Sequence, residues 1–479
     1  MQNSGQANPL LDMDFRIPFD LIQAAQVEPA MAQLLSQARG SLAAIAGVPG
    51  PRTFENTMHA LDNLTEPLDR ALGVVRHLES VATYPELRAA FNAVQPQASA
   101  FYTGIPLNAG LWKGIKAFAA TPEGAQLTGE RRRFLDKTVE TFRRHGADLD
   151  AAGKKRLEAI DVELTQITTK FGENVLDSTN AFELLIAREA DLAGLPPTAL
   201  AAARESAVRK NLDGWRFTLQ APDYFAVMTY LDNHAISRQV YEAFSVRATA
   251  EPRDNRPIVA RILELRREKA ELLGYGTFAD LVLEDRMAHN GARAVAFLGD
   301  LKSKTERRFQ EENRELLEFR REIEGPQAPA LEPWDVAYYA EKQRAALYDF
   351  DEEALRPYFP MQRVVAGLFD LVNRLYGIHV LEETGVPVWD PQVRYYNVRD
   401  ETGAYLGGFY ADWYPRENKR GGAWMDGLIT GGPAPDGFNP HLGLICGNLT
   451  APVGGKPALL THREVETIFH EFGHLLHHL

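Results

Sequence analysis

The chain has 479 residues, 45% of them hydrophobic and 24% charged, with 52 Lys+Arg against 65 Asp+Glu and a formal net charge of −13. That composition excludes bulk disorder, and an acidic balance lacks the clustered Lys/Arg that nucleic acid or anionic lipid requires. One cysteine, Cys446, leaves no intrachain disulfide framework and no cysteine-rich metal site. The N-terminal MQNSGQANPLLDMDF lacks the basic and apolar regions of a secretory signal, and no run approaches the ~20 apolar residues of a membrane span. A cytoplasmic protein with neither nucleic-acid nor membrane partners is expected.

At about 150 residues per domain, three regions are expected, 1–150, 151–330 and 331–479. Helical runs cover much of 20–180, broken by GVPGP at 47–51, and GLPP follows at 194–197. After Pro257, Ile258, Ile262, Leu265 and Leu272 share one face, and Gly274 stands where a glycine ends a helix. Thr277 and Asp280 have the spacing of a capping box for the next helix. The charged segment 293–324, with Leu298, Leu301, Phe309, Leu316 and Phe319 thinly spaced, predicts a solvated helix laced with i,i+4 ion pairs. GPQAPALEP at 325–333 reads as a linker.

From Pro387 the texture changes. VWDPQVRYYNV, AYLGGFYADWY, GGAWMDGLI and HLGLICGNL alternate aromatic and β-branched residues between Gly, Pro, Asn and Asp turns, which predicts a small sheet. Trp413 and Trp424 are expected in its core. The chain is therefore expected to be mainly α, with a small mixed α/β unit in its last ~90 residues.

The final segment, THREVETIFHEFGHLLHHL, carries the chemistry. Thr461 and Glu464 form a capping box that starts a helix at His462. At 100° per residue, Val465, Ile468, Phe469, Phe472, Leu475, Leu476 and Leu479 make one apolar stripe, and His470 and His474 point away from it. His470-Glu471-Phe472-Gly473-His474 is HExxH on a helix. Imidazoles at i and i+4 lie about 6 Å apart along the axis and converge on one Zn²⁺, while Glu471, offset to the side, serves as general base to the metal's water. His477 and His478 lie about 10–12 Å from His470 along the axis, too far to complete the ligand set; a structural role is expected for them.

The motif and its surroundings resemble the oligopeptidase A and thimet oligopeptidase family of zinc metallopeptidases. GNLTAPVGGKPALLTHREVETIFHEFGHLLHHL is similar to the family's signature block and LGGFYADWYPRENKRGGAWMD to the strand and turn before it. EPWDVAYYAEKQR and LLGYGTFADLVLEDRMA match further segments, and TKFGENVLDST extends the likeness toward the N-terminus. The resemblance implies a two-lobed helical body with a deep channel admitting short peptides, region 151–330 forming a channel wall and 331–479 a zincin-like catalytic unit. It implies a metalloendopeptidase with one Zn²⁺ held by His470 and His474, Glu471 as catalytic base, and an edge strand for the substrate backbone, for which Gly422, Ala423 and Trp424 are the candidates.

A catalytic zinc normally has three protein ligands plus water. The family's third ligand, a glutamate downstream of HExxH, has no counterpart in these 479 residues, and the apolar stripe is expected to end uncovered at Leu479. Two other readings follow: an N-terminal fragment without catalytic activity, or a helical peptide-binding protein that does not cleave.

Overall fold

The computed structural model describes residues 8–349, 351–434 and 437–479. The chain is mainly α, with seventeen α-helices and nine short strands among these residues. It divides into two compact units: Met1–Glu173 with Asp254–Leu301, and Asn174–Arg253 with Lys302–Leu479.

In the first unit, Trp112, Ile115 and Phe118 of the helix Ala109–Ala119 pack against Leu135 and Phe142. The Trp112 ring stacks on Phe142 at 5.9 Å and its indole N–H donates to Asp148 at 2.7 Å. The helices Ala151–Asn180 and Arg256–Leu272 are cross-linked along this unit by Arg261 to Glu163 at 2.6 Å and Lys269 to Asp161 at 2.5 Å. Gly274 follows the second of these with φ +83°, as its helix-ending position requires.

In the second unit the pair β1 (Leu184–Ile186) and β2 (Trp215–Phe217) sits over a core of Phe217, Leu219, Val227, Met228 and Val240. The helix Gly291–Glu324, which begins in the first unit, carries the expected i,i+4 pairs Arg307–Glu311 and Arg308–Glu312. Its exposed Leu298, Leu301 and Phe309 contrast with Leu316, which is buried. The stretch 325–333 joins this helix to the helix Val336–Tyr348 inside the same unit. Asp335 next to it is buried between Arg320, 2.9 Å away, and His234, also 2.9 Å away, so the Trp334-Asp335 block ties distant segments of this unit together.

The main sheet contains β3 (His379–Glu383), β4 (Arg394–Arg399), β5 (Tyr405–Asp412), β6 (Trp424–Ile429) and β9 (His441–Cys446) in the order β3-β4-β5-β9-β6. Between β6 and β9 lies the small pair β7 (Gly432–Ala434) and β8 (Gly437–Asn439). β5 and β9 are parallel and the other pairs antiparallel. Because successive side chains take opposite faces, Tyr396, Val398, Phe409, Ala411 and Ile445 meet the helices Met361–Tyr376 and His462–His478. Tyr395 and Tyr410 meet on the opposite face at 4.9 Å.

Three expectations need correction. The stripe of the terminal helix does not end uncovered: Leu479 packs with Ile468, Phe472 and Leu475 against the sheet. Phe469 lies outside that contact and is 37% exposed, because the buried arc is narrower than the apolar one. Trp424 is only half-buried, whereas Trp413 is buried in the core.

Candidate metal centre and its surroundings

The helix His462–His478 starts as its capping box dictates. The Thr461 hydroxyl accepts from the Glu464 N–H at 3.1 Å, and the Glu464 carboxylate accepts from the Thr461 N–H at 2.8 Å. The same carboxylate also takes the Thr450 N–H at 2.5 Å and its hydroxyl at 2.9 Å, and Arg356 stands 3.8 Å away. Glu464 thus binds the helix start to the loop leaving β9, a second role that the capping spacing alone does not reveal. Thr461→Ala should lower the chain's unfolding midpoint by an amount equivalent to about 1 kcal/mol, measured by urea denaturation.

On the far side of the buried stripe, His470 and His474 are exposed and Glu471 is half-buried. The two imidazole Nε2 atoms stand 3.2 Å apart with their rings at 84°. Two donors bound to one tetrahedral zinc at 2.0–2.1 Å are about 3.3 Å apart, so the pair fits two adjacent corners of such a site. Among the described residues no set of three His, Cys, Asp or Glu side chains gathers around one ion position. The Glu471 carboxylate, among the described residues, is engaged by no hydrogen bond or ion pair.

The matched family models are peptidase family M3 over residues 227–479 and the neurolysin/thimet oligopeptidase N-terminal domain over 31–155. The chain belongs to peptidase family M3. It is 39% identical to oligopeptidase A of Escherichia coli, over 98% of this chain and 70% of that protein. Against oligopeptidase A of Haemophilus influenzae it is 38% identical, over 99% of this chain and 70% of the relative. A solved structure of PZ peptidase A with an inhibitor shares the fold at a TM-score of 0.50 and 13% identity, covering 95% of this chain and 64% of that one.

In this M3 chain the motif helix and the sheet are fitted by glycines. A Cβ on Gly443 would fall 2.6 Å from Leu475 Cδ1, and one on Gly427 would fall 2.8 Å from the His478 ring. His478 lies on the sheet, its Nε2 3.2 Å from the Leu442 carbonyl and its ring 5.2 Å from that of His441. Burial, and secondarily the neighbouring His478, holds His441 below the ordinary histidine range. Leu479 approaches Gly407, opposite His441, while Phe472 packs on Phe409, opposite Gly443. The helix therefore runs antiparallel to β9, and its HExxH segment falls toward Cys446, which is paired with Trp424.

Trp424 is the first residue of β6, and β6 is the last strand of the sheet. Gly422 and Ala423 precede it in the turn, where Gly422 has φ +93°. Residues that no motif flagged hold this turn. Lys419, fully buried, donates to Asp412 Oδ1 at 2.8 Å and to the Tyr414 carbonyl at 3.0 Å. Asn448 Nδ2 donates to the Arg420 carbonyl at 3.0 Å and the Gly422 carbonyl at 2.6 Å. Cys446 is buried, and burial with Asp412 nearby pushes its thiol far above the usual range, so it packs as a small hydrophobe.

Proposed function

We propose that this chain is a zinc-dependent oligopeptidase that hydrolyses short peptides. The observation that carries this reading is the pair of imidazole nitrogens 3.2 Å apart on the HExxH helix of a peptidase family M3 chain. His470 and His474 would hold the metal. Bound there, zinc would supply Lewis-acid polarisation of the scissile carbonyl and would acidify water.

The remaining steps belong to the protein's own groups. Glu471, one residue after His470, lies beside the ligand pair with its carboxylate uncommitted, so it accepts a proton from the attacking water. The same carboxyl then delivers that proton to the leaving amine. The last strand, β6, offers backbone groups to an extended peptide, and Gly422, Ala423 and Trp424 are the proposed contact at its start. The interlocked turn below them keeps that backbone in place when the substrate binds.

Two ligands among the described residues, rather than three, favour a second reading: a chain that captures peptides without cleaving them. Zinc content after dialysis and turnover of an internally quenched nonapeptide separate the two. Near-stoichiometric zinc with metal-dependent cleavage is expected on the first reading. Peptide affinity that ignores both zinc and chelator, without cleavage, would establish the second.

A further inference from the structure

We propose that Arg420 determines specificity by taking a carboxylate of the bound peptide, on the C-terminal side of the bond to be cut. The nature of the occupant rests on the peptidase reading above; the site itself rests on the turn between β5 and β6.

That turn is pinned at three places. Glu417 accepts from Lys210 Nζ at 3.1 Å and from Arg216 Nη2 at 3.0 Å. Lys419 is buried against Asp412 at 2.8 Å. Asn448 holds the carbonyls of Arg420 and Gly422. Backbone tied in this way loses little further freedom when a side chain on it is engaged.

On this base the Arg420 side chain is exposed, with its guanidinium carbon 4.2 Å from the centroid of the Trp424 ring. Among the described residues no carboxylate pairs with it, whereas its neighbour Arg416 is taken up by Asp412 at 2.6 Å. A guanidinium resting on an indole leaves its N–H edge available, and that edge matches a carboxylate with two parallel hydrogen bonds.

Direction follows from the sheet. A peptide laid antiparallel on β6, the more stable pairing, runs toward Trp424 with its C-terminal part. The HExxH segment falls toward this same end of β6, so chain beyond Trp424 lies C-terminal to the reacting bond. The carboxylate is then either the peptide's free C-terminus or an Asp or Glu side chain near it.

Three peptides of one sequence test this: a free acid, its C-terminal amide, and the amide with Glu replacing a Gln near the C-terminus. Affinity is read by fluorescence anisotropy on the full chain carrying Glu471→Gln, without metal, and kcat/KM on the zinc-loaded parent chain. At least one carboxylate peptide should bind about tenfold more tightly than the neutral amide. Comparing acid with Glu-amide tells which carboxylate is read. Arg420→Ala should bring the ratio near one, Arg420→Lys should keep part of it, and Arg420→Glu should invert it. The preference should shrink between 50 and 500 mM salt, about the range over which exposed pairs become screened. Equal affinities in the Glu471→Gln chain with Arg420 intact, a preference that survives Arg420→Ala, or no binding of any peptide would each overturn the inference. A carboxylate preference without cleavage would remove the peptidase reading and leave the subsite; cleavage without a preference would do the reverse.

Discussion

Replacing Glu471 by Gln is expected to lower kcat by about 10²- to 10⁴-fold while leaving zinc bound. Gln keeps the size of the side chain and loses the base. Since the carboxylate is engaged by no other described residue, little else should change: the helix is held by Glu464 at one end and by Ile468, Phe472 and Leu475 along its buried side. His470→Ala and His474→Ala differ in kind, because each removes one of two nitrogens 3.2 Å apart and should abolish metal binding together with turnover. Parallel measurement of zinc content and initial rates on a quenched peptide distinguishes them. A Glu471→Gln chain retaining more than about a tenth of parental kcat would remove the general-base assignment.

The second large effect is on stability, at Asp412. This carboxylate is 1% exposed, and Arg416, Lys419 and the Trp389 indole N–H converge on it at 2.6, 2.8 and 2.8 Å. Asp412→Ala strands a fully buried ammonium and is expected to cost about 3–5 kcal/mol, read as a shift of the urea unfolding midpoint. Pairing it with Lys419→Met should recover much of the loss, because the double change removes the uncompensated charge. A double mutant no more stable than Asp412→Ala would exclude the ion pair as the cause. Burial pushes the Asp412 carboxyl upward, yet hydrogen bonds and charge from Arg416 and Lys419 outweigh it and hold the group below the ordinary carboxylate range. Its contribution is therefore present above the unfolded value near ~3.9 and is lost as pH falls through the lower folded value. The parent should lose stability in that acid window more steeply than an Asp412→Leu/Lys419→Met chain. The turn before β6 should loosen in Asp412→Ala as well, since Lys419 anchors it.

The motif helix was legible because everything that defines it is local. The capping pair Thr461 and Glu464, the apolar stripe and the i,i+4 histidines all repeat within a few turns of one another. The strands β4, β5, β6 and β9 were likewise marked by alternation and turn residues. β3 was not: its five residues are mostly exposed and carry little apolar signal. Nor did any local pattern mark Lys419 or Asn448, whose roles come from bonds to Asp412 and to the carbonyls of Arg420 and Gly422.

The amino-acid sequence by itself determined that this chain is mainly helical, that it presents two imidazoles and a carboxylate on one face of a helix, and which family it resembles. Only the tertiary structure decided that β9 inserts between β5 and β6, which makes β6 the last strand and puts Trp424 toward the HExxH segment. The same fold showed that the sheet itself covers the stripe to Leu479, and that a buried lysine and an asparagine brace an uncommitted arginine. Helical periodicity is a property of neighbouring residues, whereas strand order and the partners of buried charges depend on contacts between residues far apart in the chain, for which one sequence carries no repeating signal.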